Sequence, residues 1–439
     1  MEVTIKQTKH LKGKIKISGS KNSALPLLAI CLLTNKKIKL INVPMITDIY
    51  NMISILQDLG VSVKLNKKKN TVILKRKKIK NILSSQIAQK IRASYYLYPG
   101  LIHLHNNIKV IKPGGCNFTH RPIDYHIDLF KKTGINVNEQ DNFICFEKNK
   151  LISNNISFNS SSVGATINAL LHMVLIEGTS KIIDQPIEPE VEEVINCLNK
   201  MGANIKVENN NIIIQGVKKL KGVTFKVMPD RIELGSYIFL ASALKSEVTF
   251  TNIKKETIAY LEPYLKQLNI NYIYNKEEVY IKMQNKIKGT NIIVSSYPLF
   301  PTDLQPIVCS ALLTSKEKST IIDKVYPNRL SHIKEMQKLN ANIQCINNVI
   351  YIKESFLKGT TLYAHDLRCG FALIICACLG AGETKIKNFE VINRGYENVI
   401  EKLKMLGVKI KEYWLEKNDI LCYNKFKKIE VIGCLIQVQ

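Results

Sequence analysis

The sequence predicts an α/β protein built from six similar units, which divide three and three into two domains. Three observations support this prediction: a small residue recurs about every 70 residues, an amphipathic helix leads into each of these residues, and an apolar helix starts about forty residues earlier. The recurring residues, called markers below, are Gly60, Gly134, Gly202, Asn269, Asn340 and Gly407, separated by 74, 68, 67, 71 and 67 residues.

The helix that precedes each marker is predicted from its apolar spacing. In the first unit, the i, i+3, i+4, i+7 pattern of a helix buried on one face is formed by Ile49, Met52, Ile53, Leu56 and Leu59. The glycine or asparagine at the marker suits a left-handed C-cap, and the alternating segment behind it is typical of a strand. We therefore expect a helix that ends at each marker and a strand that follows it.

An apolar helix is predicted about forty residues before each marker. The segment 18–33, SGSKNSALPLLAICLL, is apolar on most sides and should lie in a core, and the alternating segment 37–43, KIKLINV, is typical of a strand. Each unit is then helix, strand, helix, strand, strand, with one more strand entering from the previous unit. Because strands joined by helices cross over right-handedly, each unit should close into a layer of sheet and helices.

The composition is that of a large globular protein with excess positive charge. The chain has 439 residues, too many for one ordinary core, and 63 Lys+Arg against 36 Asp+Glu give a formal net charge of +27. Such charge is typical of nucleic-acid binders, but lysines occur along the whole chain without a basic-aromatic stripe or a nucleic-acid motif. We expect no nucleic-acid partner, and the same field favours small anionic substrates.

Neither a membrane segment nor a metal site is predicted. The longest apolar run, 371–382, is too short to span a bilayer, and the N-terminus lacks the apolar core of a signal peptide. The 11 cysteines without paired spacing fit a reducing compartment, so we expect a cytoplasmic protein. No third and fourth metal ligand is spaced to join His103 and His105, on a predicted strand, or Cys376 and Cys378, in an apolar helix.

Polar residues stand at the starts of the predicted helices. Helix N-termini carry unpaired N–H groups and attract anions, so converging ends would make the cleft between the two halves an anion site. Two plainer explanations stay open, since the Ser and Asp residues are good N-cap types and the Lys and Arg residues could face solvent. The first helices begin near Lys21, Asn22, Arg92, Ser162, Asp230, Asp303 and Asp366, and the loops before the second helices carry Cys116, Arg121, Glu188, Glu190, Arg329 and Arg394.

A loop cysteine is the candidate nucleophile. In the segment 112–122, KPGGCNFTHRP, two glycines and the closing proline exclude helix and strand, so Cys116 should be presented rather than buried. The thiol is flanked by Lys112, His120 and Arg121, which favour its thiolate and suit a nucleophile or an acid–base group. The alternative is a turn that carries an incidental cysteine.

Nine segments of the chain resemble a known family in order and spacing. They are SGSKNSALP, IRASYY, KPGGCNFTHRPIDYH, SSVGAT, EPE, MPDRIE, FPTDLQ, HDLRCG and NRGYE, and they are similar to those of the UDP-N-acetylglucosamine 1-carboxyvinyltransferases over residues 12–411. The alternative, the related shikimate-pathway enolpyruvyl transferases, lacks the PGGC cysteine and the SGxKNxALP opening. The resemblance implies two inside-out α/β barrel domains of three units each, residues 1–20 with 229–439 and residues 21–228, with the active site in the cleft between them.

The resemblance also implies a reaction. The family transfers the enolpyruvyl group of phosphoenolpyruvate to the 3-hydroxyl of UDP-N-acetylglucosamine and releases phosphate, in the first committed step of peptidoglycan synthesis. These two metabolites would be the partners, no cofactor is implied, and one chain suffices for the site, while the oligomeric state is not predicted. A basic binding protein of the same fold without catalysis is a further alternative.

The resemblance carries over site residues position by position. Asp303 would be the base for the sugar hydroxyl, and Cys116 would protonate C3 of phosphoenolpyruvate and form a covalent pyruvate adduct. Lys21 and Arg394 would stabilise the departing phosphate. The implied substrate-binding residues are Lys21, Asn22, Arg92, Arg121, Pro122, Ile123, Asp124, Tyr125, Ser162, Val163, Gly164, Asp303, Val325, Arg329, Asp366, Arg368 and Arg394.

Three positions depart from the family pattern. Tyr96 stands where a tryptophan is common, and Thr119 and His120 stand in place of a Gly-Ala pair. Loss of that glycine should stiffen the cysteine loop. The tail 419–439 has no predicted role.

Overall fold

Helices lie inside and sheets lie outside in this protein. The structure is a computed structural model that describes residues 1–114, 123–185 and 188–414. These residues form six four-stranded sheets, and a strand such as 71–76 alternates between buried and more exposed side chains. By contrast, all 13 residues of the helix Arg231–Ala243 are buried. This is the inside-out arrangement that the family resemblance predicts.

The strands of the described residues are short and are numbered in chain order. They are β1 (Glu2–Lys6), β2 (Lys12–Lys16), β3 (Ile38–Ile41), β4 (Val61–Asn66), β5 (Thr71–Arg76), β6 (Ile82–Leu83), β7 (Asn107–Ile111), β8 (Ile135–Glu139), β9 (Phe143–Lys148), β10 (Asn155–Ser157), β11 (Thr179–Ile183), β12 (Asn204–Glu208), β13 (Asn211–Gln215), β14 (Val223–Lys226), β15 (Glu247–Thr251), β16 (Tyr272–Asn275), β17 (Glu278–Lys282), β18 (Asn291–Val294), β19 (Ser319–Asp323), β20 (Ile343–Ile346), β21 (Val349–Ile352), β22 (Thr361–Tyr363), β23 (Glu383–Lys387) and β24 (Ile410–Tyr413).

The helices of the described residues are mostly one to four turns long. The α-helices are α1 (Lys21–Ala29), α2 (Thr47–Leu59), α3 (Tyr98–Leu104), α4 (Asp124–Lys132), α5 (Val163–Met173), α6 (Pro189–Lys200), α7 (Arg231–Ala243), α8 (Lys255–Ala259), α9 (Glu262–Gln267), α10 (Gln305–Leu312), α11 (Ser331–Gln337), α12 (Leu367–Leu379) and α13 (Val399–Met405). The 3₁₀ helices are Ile30–Leu33, Gln86–Gln89, Arg92–Leu97, Thr302–Leu304 and Phe389–Arg394. Within the described ranges, no helix combines the length and the apolar character needed to cross a membrane.

All six markers have the left-handed backbone that the sequence predicts. Their φ angles are 107° at Gly60, 91° at Gly134, 94° at Gly202, 57° at Asn269, 67° at Asn340 and 91° at Gly407. Glycine adopts this conformation without strain, and asparagine adopts it at small cost. Each marker follows a helix and precedes a strand, so the repeat found in the sequence is a structural repeat.

Each sheet contains one parallel pair of strands and two antiparallel pairs. In the second unit β6 and β7 are parallel, and the helices between them form the crossover that parallel pairing requires. β9 then pairs antiparallel with both β7 and β8. The additional strand that the sequence predicts for each unit is the parallel partner, and in this unit it directly precedes the first helix.

Two strands are exchanged between the halves of the chain. β2 leads into α1 but pairs with β15, whereas β14 leads into α7 but pairs with β3. The two crossing segments bind each other, because the amide of Ser20 donates to the carbonyl of Met228 at 2.7 Å and the amide of Asp230 donates to the carbonyl of Ser18 at 2.8 Å. The halves are therefore joined by two adjacent, hydrogen-bonded segments.

Two hydrophobic cores result from this connectivity. The first core contains buried residues of segments 3–17 and 232–410, and the second core contains buried residues of segment 24–227. We propose that these cores are the two domains, with the boundaries predicted above.

One predicted strand is wrong. His103 lies in α3, and His105 follows directly after the helix. The helix continues through this segment because Leu101 and Ile102 extend its buried face. The strand of this region, β7, begins only at Asn107.

Gly19 lies in a crossing segment that has no room for a side chain. A Cβ atom there would lie 1.7 Å from the carbonyl oxygen of Asn42. We expect Gly19→Ala to lower the free energy of unfolding by about 3 kcal/mol, the upper part of the usual range for overpacking. Denaturant unfolding compares it with Lys16→Ala, an exposed position at the end of β2. Equal stability of the two variants would contradict the importance of this close approach.

Candidate active site

A cleft of about 1040 Å³ lies between the two cores, and the first helices of all six units begin at its wall. Their N-termini contribute Lys21, Arg92, Ser162, Arg231, Asp303 and Asp366 to the lining. The polar helix starts that are far apart in the sequence are thus brought together in one space. The N–H groups and the positive ends of these helices favour anions in the cleft.

Fourteen of the residues predicted for the site line this cleft. The side chain of Ile123 instead packs against the second core. Cys116, Arg121 and Pro122 belong to the segment 115–122, which lies outside the described residues. The lining residues among those predicted are Lys21, Asn22, Arg92, Asp124, Tyr125, Ser162, Val163, Gly164, Asp303, Val325, Arg329, Asp366, Arg368 and Arg394.

Helix capping explains three of the four N-cap candidates. The hydroxyl of Ser162 accepts a hydrogen bond from the amide of Ala165 at 3.3 Å. Asp230 and Asp366 each accept from two amides in the first turn of their helices, at 2.8 to 3.1 Å. Asp303 caps no helix, because arginine side chains bind both of its oxygens. The capping explanation therefore fails at the position to which the resemblance assigns the base.

Two buried arginines hold Asp303. Oδ1 accepts from Nη1 of Arg329 at 3.0 Å, and Oδ2 accepts from Nη2 of Arg368 at 2.7 Å. Burial alone would raise the pKa of Asp303, but Arg368, Arg329 and Lys21 together hold this pKa well below its usual range. The group is therefore a fixed carboxylate with a low intrinsic affinity for protons.

Val325 is fixed by the same part of the first core. The carboxylate of Asp323 accepts hydrogen bonds from the amides of Val325 at 2.9 Å and Tyr326 at 2.8 Å. Its other oxygen accepts from the hydroxyl of Thr302 at 2.6 Å, next to Asp303 in the chain. Asp323 therefore sets the position of the Val325 backbone relative to Asp303.

A second group of charges joins the two cores. Asp48, in the first turn of α2, accepts from Nε of Arg394 at 2.9 Å, and its Oδ2 lies 3.6 Å from Nζ of Lys21. The pKa of Lys21 is lowered mainly by burial and also by Arg368 and Arg394, while Asp48 and Asp303 act to raise it. Asp48 and Asp303 thus favour the charged form of Lys21, which its burial disfavours.

A third group of charges lies at the start of α7. Nε of Arg231 donates to Glu190 at 2.9 Å, and Nη2 donates to Glu190 at 3.1 Å and to Glu188 at 3.2 Å. Burial raises the pKa of Glu188 to about 7, with Glu190 and Asp303 acting in the same direction and Arg231 opposing them. Because Arg231 belongs to the first core and both glutamates to the second, this group also bridges the cleft.

Hydrogen bonds of Glu397 add a further link between the cores. Its Oε1 accepts from the amide of Met45 at 2.8 Å and from Nδ2 of Asn70 at 2.7 Å. The amide of Lys21 donates to Asp230 at 3.1 Å across the same boundary.

Within the described residues, no group of three or more His, Cys, Asp or Glu side chains is suited to hold a metal ion.

Aromatic side chains of the second core line the opposite wall. The guanidinium of Arg92 lies 5.9 Å from the ring centre of Tyr95, which packs edge-on against Tyr96 at 4.6 Å. The hydroxyls of Tyr125 and Ser160 are 2.9 Å apart. Tyr96, one of the departures from the family pattern, is buried and thus serves as packing for this wall.

The sequence prediction missed three charged residues as site residues. Asp48 and Arg231 were not assigned to the site, and Glu190 was noted only as a loop residue, yet all three bridge the cleft. One sequence signal could have found the acidic pair, because Asp48 and Glu190 each stand 12 residues before the marker of their unit, Gly60 and Gly202. The equivalent place in two units thus carries a carboxylate that binds an arginine of the other core.

The chain is similar to known enolpyruvyl transferases along nearly its whole length. The profile of the family described as EPSP synthase (3-phosphoshikimate 1-carboxyvinyltransferase) matches residues 5–403. A UDP-N-acetylglucosamine 1-carboxyvinyltransferase from Halothermothrix orenii is 36% identical over 410 residues, which cover 93% of this chain and 98% of the relative. The chain belongs to the UDP-N-acetylglucosamine 1-carboxyvinyltransferase family. This membership confirms the resemblance predicted from the nine sequence segments.

Further comparisons agree with the family and with its fold. UDP-N-acetylglucosamine 1-carboxyvinyltransferase 2 of Staphylococcus epidermidis is 36% identical over 417 residues, 94% of this chain and 98% of the relative. The crystal structure of the enolpyruvyl transferase NikO from Streptomyces tendae has a TM-score of 0.87 at 19% identity and covers 93% of this chain and 98% of its own. The similarity to the NikO structure confirms the predicted fold only, because the two sequences are just 19% identical.

The raised pKa of Glu188 predicts a pH effect on stability. Between pH 4.5 and about 7 the folded protein holds a proton that the unfolded chain releases, so this group makes the fold less stable as the pH rises. Glu188→Gln cannot titrate and should not show this loss. The difference in free energy of unfolding between the variant and wild type should therefore grow in favour of the variant as the pH rises through this window, by on the order of 2 kcal/mol, and should stay constant above it. Unfolding curves from pH 4.5 to 8 measure this, with Glu192→Gln, exposed on the same helix, as the control. A relative loss of stability over the window would contradict the assignment.

Proposed function

We propose that this chain transfers the enolpyruvyl group of phosphoenolpyruvate to the 3-hydroxyl of UDP-N-acetylglucosamine and releases phosphate, the first committed step of peptidoglycan synthesis. The observation that carries the proposal is the carboxylate of Asp303, held by Arg329 and Arg368 in a cleft that also contains Lys21 and Arg394. A group that can accept a hydroxyl proton thus lies among cations that can bind phosphate and carboxylate. Membership of the family supports the same reaction.

Phosphoenolpyruvate would bind where the cations of the two cores meet. We assign its phosphate to Lys21 and Arg394, together with Arg121, which lies outside the described residues. Arginine forks bind such anions with two hydrogen bonds, and one contact at 4 Å is worth about 4 kcal/mol at an effective dielectric of 20 before desolvation. Several cations are therefore needed to hold so much negative charge in a partly buried site.

UDP-N-acetylglucosamine would bind along the wall of the second core. The N-terminus of α5 begins at Val163 and Gly164, beside Arg92, and provides N–H groups for phosphate oxygens. A Cβ atom at Gly164 would lie 2.6 Å from the hydroxyl of Tyr95, so a larger residue there would have to displace the Tyr95 side chain. The remaining assignments to the substrates are Asn22, Pro122, Ile123, Asp124, Tyr125, Ser162, Asp303, Val325, Arg329, Asp366 and Arg368.

Proton transfers in both steps balance the proposed reaction. In the first step O3 of the sugar bonds to C2 of phosphoenolpyruvate and passes its proton to Asp303, while C3 takes a proton from Cys116, outside the described residues. In the second step C3 gives a proton back to the thiolate of Cys116, and the electrons of that C–H bond form the double bond between C2 and C3. The bond from C2 to the phosphate oxygen breaks, and phosphate departs with that electron pair and takes the proton held by Asp303. Lys21 and Arg394 would stabilise the charge on that oxygen.

We also propose a cytoplasmic enzyme whose site needs one copy of the chain. Both walls of the cleft come from the same chain, and both substrates are phosphorylated metabolites. The clustering of positive charge in a cleft between helix ends fits small anions better than it fits a nucleic-acid backbone. The alternative of a basic binding protein would require the arginine-held carboxylate to have no chemical role.

The first test of the function is phosphate release. Purified protein should release phosphate from phosphoenolpyruvate when UDP-N-acetylglucosamine is present, and mass spectrometry should detect the enolpyruvyl ether. Shikimate 3-phosphate, the acceptor of the related transferases, should not replace the nucleotide sugar. Phosphate release with shikimate 3-phosphate alone would favour the related activity, and release with neither acceptor would overturn the proposal.

Replacement of the proposed base tests the site. Asp303→Asn keeps the shape of the side chain but cannot take the hydroxyl proton, so kcat should fall by about 100- to 10,000-fold, the usual contribution of a general base. Asp58→Asn removes an exposed carboxylate from α2 and should leave kcat unchanged. A kcat of Asp303→Asn close to wild type would exclude Asp303 as the base.

A further inference from the structure

Asp48 lies between two cations that belong to different cores. Its side chain is only 6% exposed, and it stands in the first turn of α2, in the second core. Nε of Arg394, from the first core, donates to Oδ1 at 2.9 Å, and Nη2 of Arg394 lies 3.5 Å from Oδ2. Nζ of Lys21, from the second core, lies 3.6 Å from the same Oδ2.

Repulsion between the two cations makes this carboxylate necessary. Lys21 and Arg394 both contact the carboxylate of Asp48, so their like charges lie close together in a partly buried site and repel each other. Asp303 cannot replace Asp48 in this role, because Arg329 and Arg368 bind its two oxygens. Asp48 is thus the carboxylate that contacts both members of the pair.

We propose that Asp48 is a positioning residue for the transfer reaction, which assembles Lys21 of the second core and Arg394 of the first core into a single phosphate-binding pair. This inference rests on the proposed function. One carboxylate with two cations leaves a net positive charge, so the assembled trio can still bind an anion. Asp48 acts only through its two partners and needs no contact with substrate.

A purely structural link between the cores is the competing explanation. Arg231 with Glu190, and Glu397 with Met45 and Asn70, already provide such links at other points of the cleft. Loss of Asp48 as a mere link would lower stability without a selective effect on one substrate. If Asp48 is a positioning residue, its loss would weaken the binding of phosphoenolpyruvate and would lower the pKa of Lys21.

Asp48→Asn tests the proposal by steady-state kinetics. Because charge-assisted contacts of both cations are lost, KM for phosphoenolpyruvate should rise about 10- to 100-fold, while KM for UDP-N-acetylglucosamine stays within about twofold. Since Asp48 supports the protonated form of Lys21, the alkaline limb of kcat/KM should move to lower pH in the variant. Asp48→Glu should restore that limb, and Asp58→Asn should match wild type throughout.

Two further measurements keep the test independent of turnover and of folding. Calorimetry of inorganic phosphate binding to the full chain should show weaker binding by Asp48→Asn; equal or tighter binding would overturn the inference even if the enzyme is active. In the Arg394→Gln background, Asp48→Asn should cost much less than in wild type, whereas additive losses would indicate an unrelated structural effect. If wild type binds phosphate but turns over neither acceptor, the proposed function fails. Calorimetry of Asp48→Asn still shows in that case whether Asp48 contributes to phosphate binding.

Discussion

Positive charge gathered in a partly buried cleft is the constraint on which this structure depends. The helices of six repeated units point their N-termini into one space, and cationic side chains stand at or near several of these ends. Each of these cations would repel the others, so buried carboxylates must offset them. The cations are Lys21, Arg231, Arg329, Arg368 and Arg394, and the carboxylates that contact them are Asp48, Glu188, Glu190 and Asp303.

The pairing of these charges follows the connectivity of the chain. The halves are joined at two adjacent segments, where a buried glutamate on each side fixes the backbone: Glu233 accepts from the amide of Ser18 at 2.8 Å, and Glu193 accepts from the amide of Met228 at 2.6 Å. Lys402 is paired with Glu233 in the same region. Away from this junction the cores meet through ion pairs between side chains. The side of the cleft where the chain crosses between the cores is thus held by backbone hydrogen bonds, and its other side is held by ion pairs together with the hydrogen bonds of Glu397.

Local patterns in the sequence predict the repeats but not the partners of the charges. The six markers and the helices before them could be predicted because a C-cap and an amphipathic helix depend on residues only a few positions apart. The exchange of β2 and β14 could not be predicted from local patterns, because strand pairing between distant segments leaves no local signal. Only the family resemblance implied it, through the domain bounds 1–20 with 229–439 and 21–228. In the same way, capping and catalysis were equally good explanations of Asp303, and only its contacts with Arg329 and Arg368, 26 and 65 residues away, decide against capping.

The low pKa of Asp303 has a consequence for how the cleft can act as an enzyme. A carboxylate held by two arginines is fixed in place but is a weak base, so proton transfer to it from a sugar hydroxyl would be unfavourable without phosphoenolpyruvate. The phosphate and carboxylate of phosphoenolpyruvate would bring negative charge close to Lys21 and the neighbouring arginines. Because those cations are the cause of the low pKa, their neutralisation would raise it. The charges that attract phosphoenolpyruvate would therefore also make Asp303 a stronger base, which would couple proton transfer from the sugar hydroxyl to the presence of phosphoenolpyruvate.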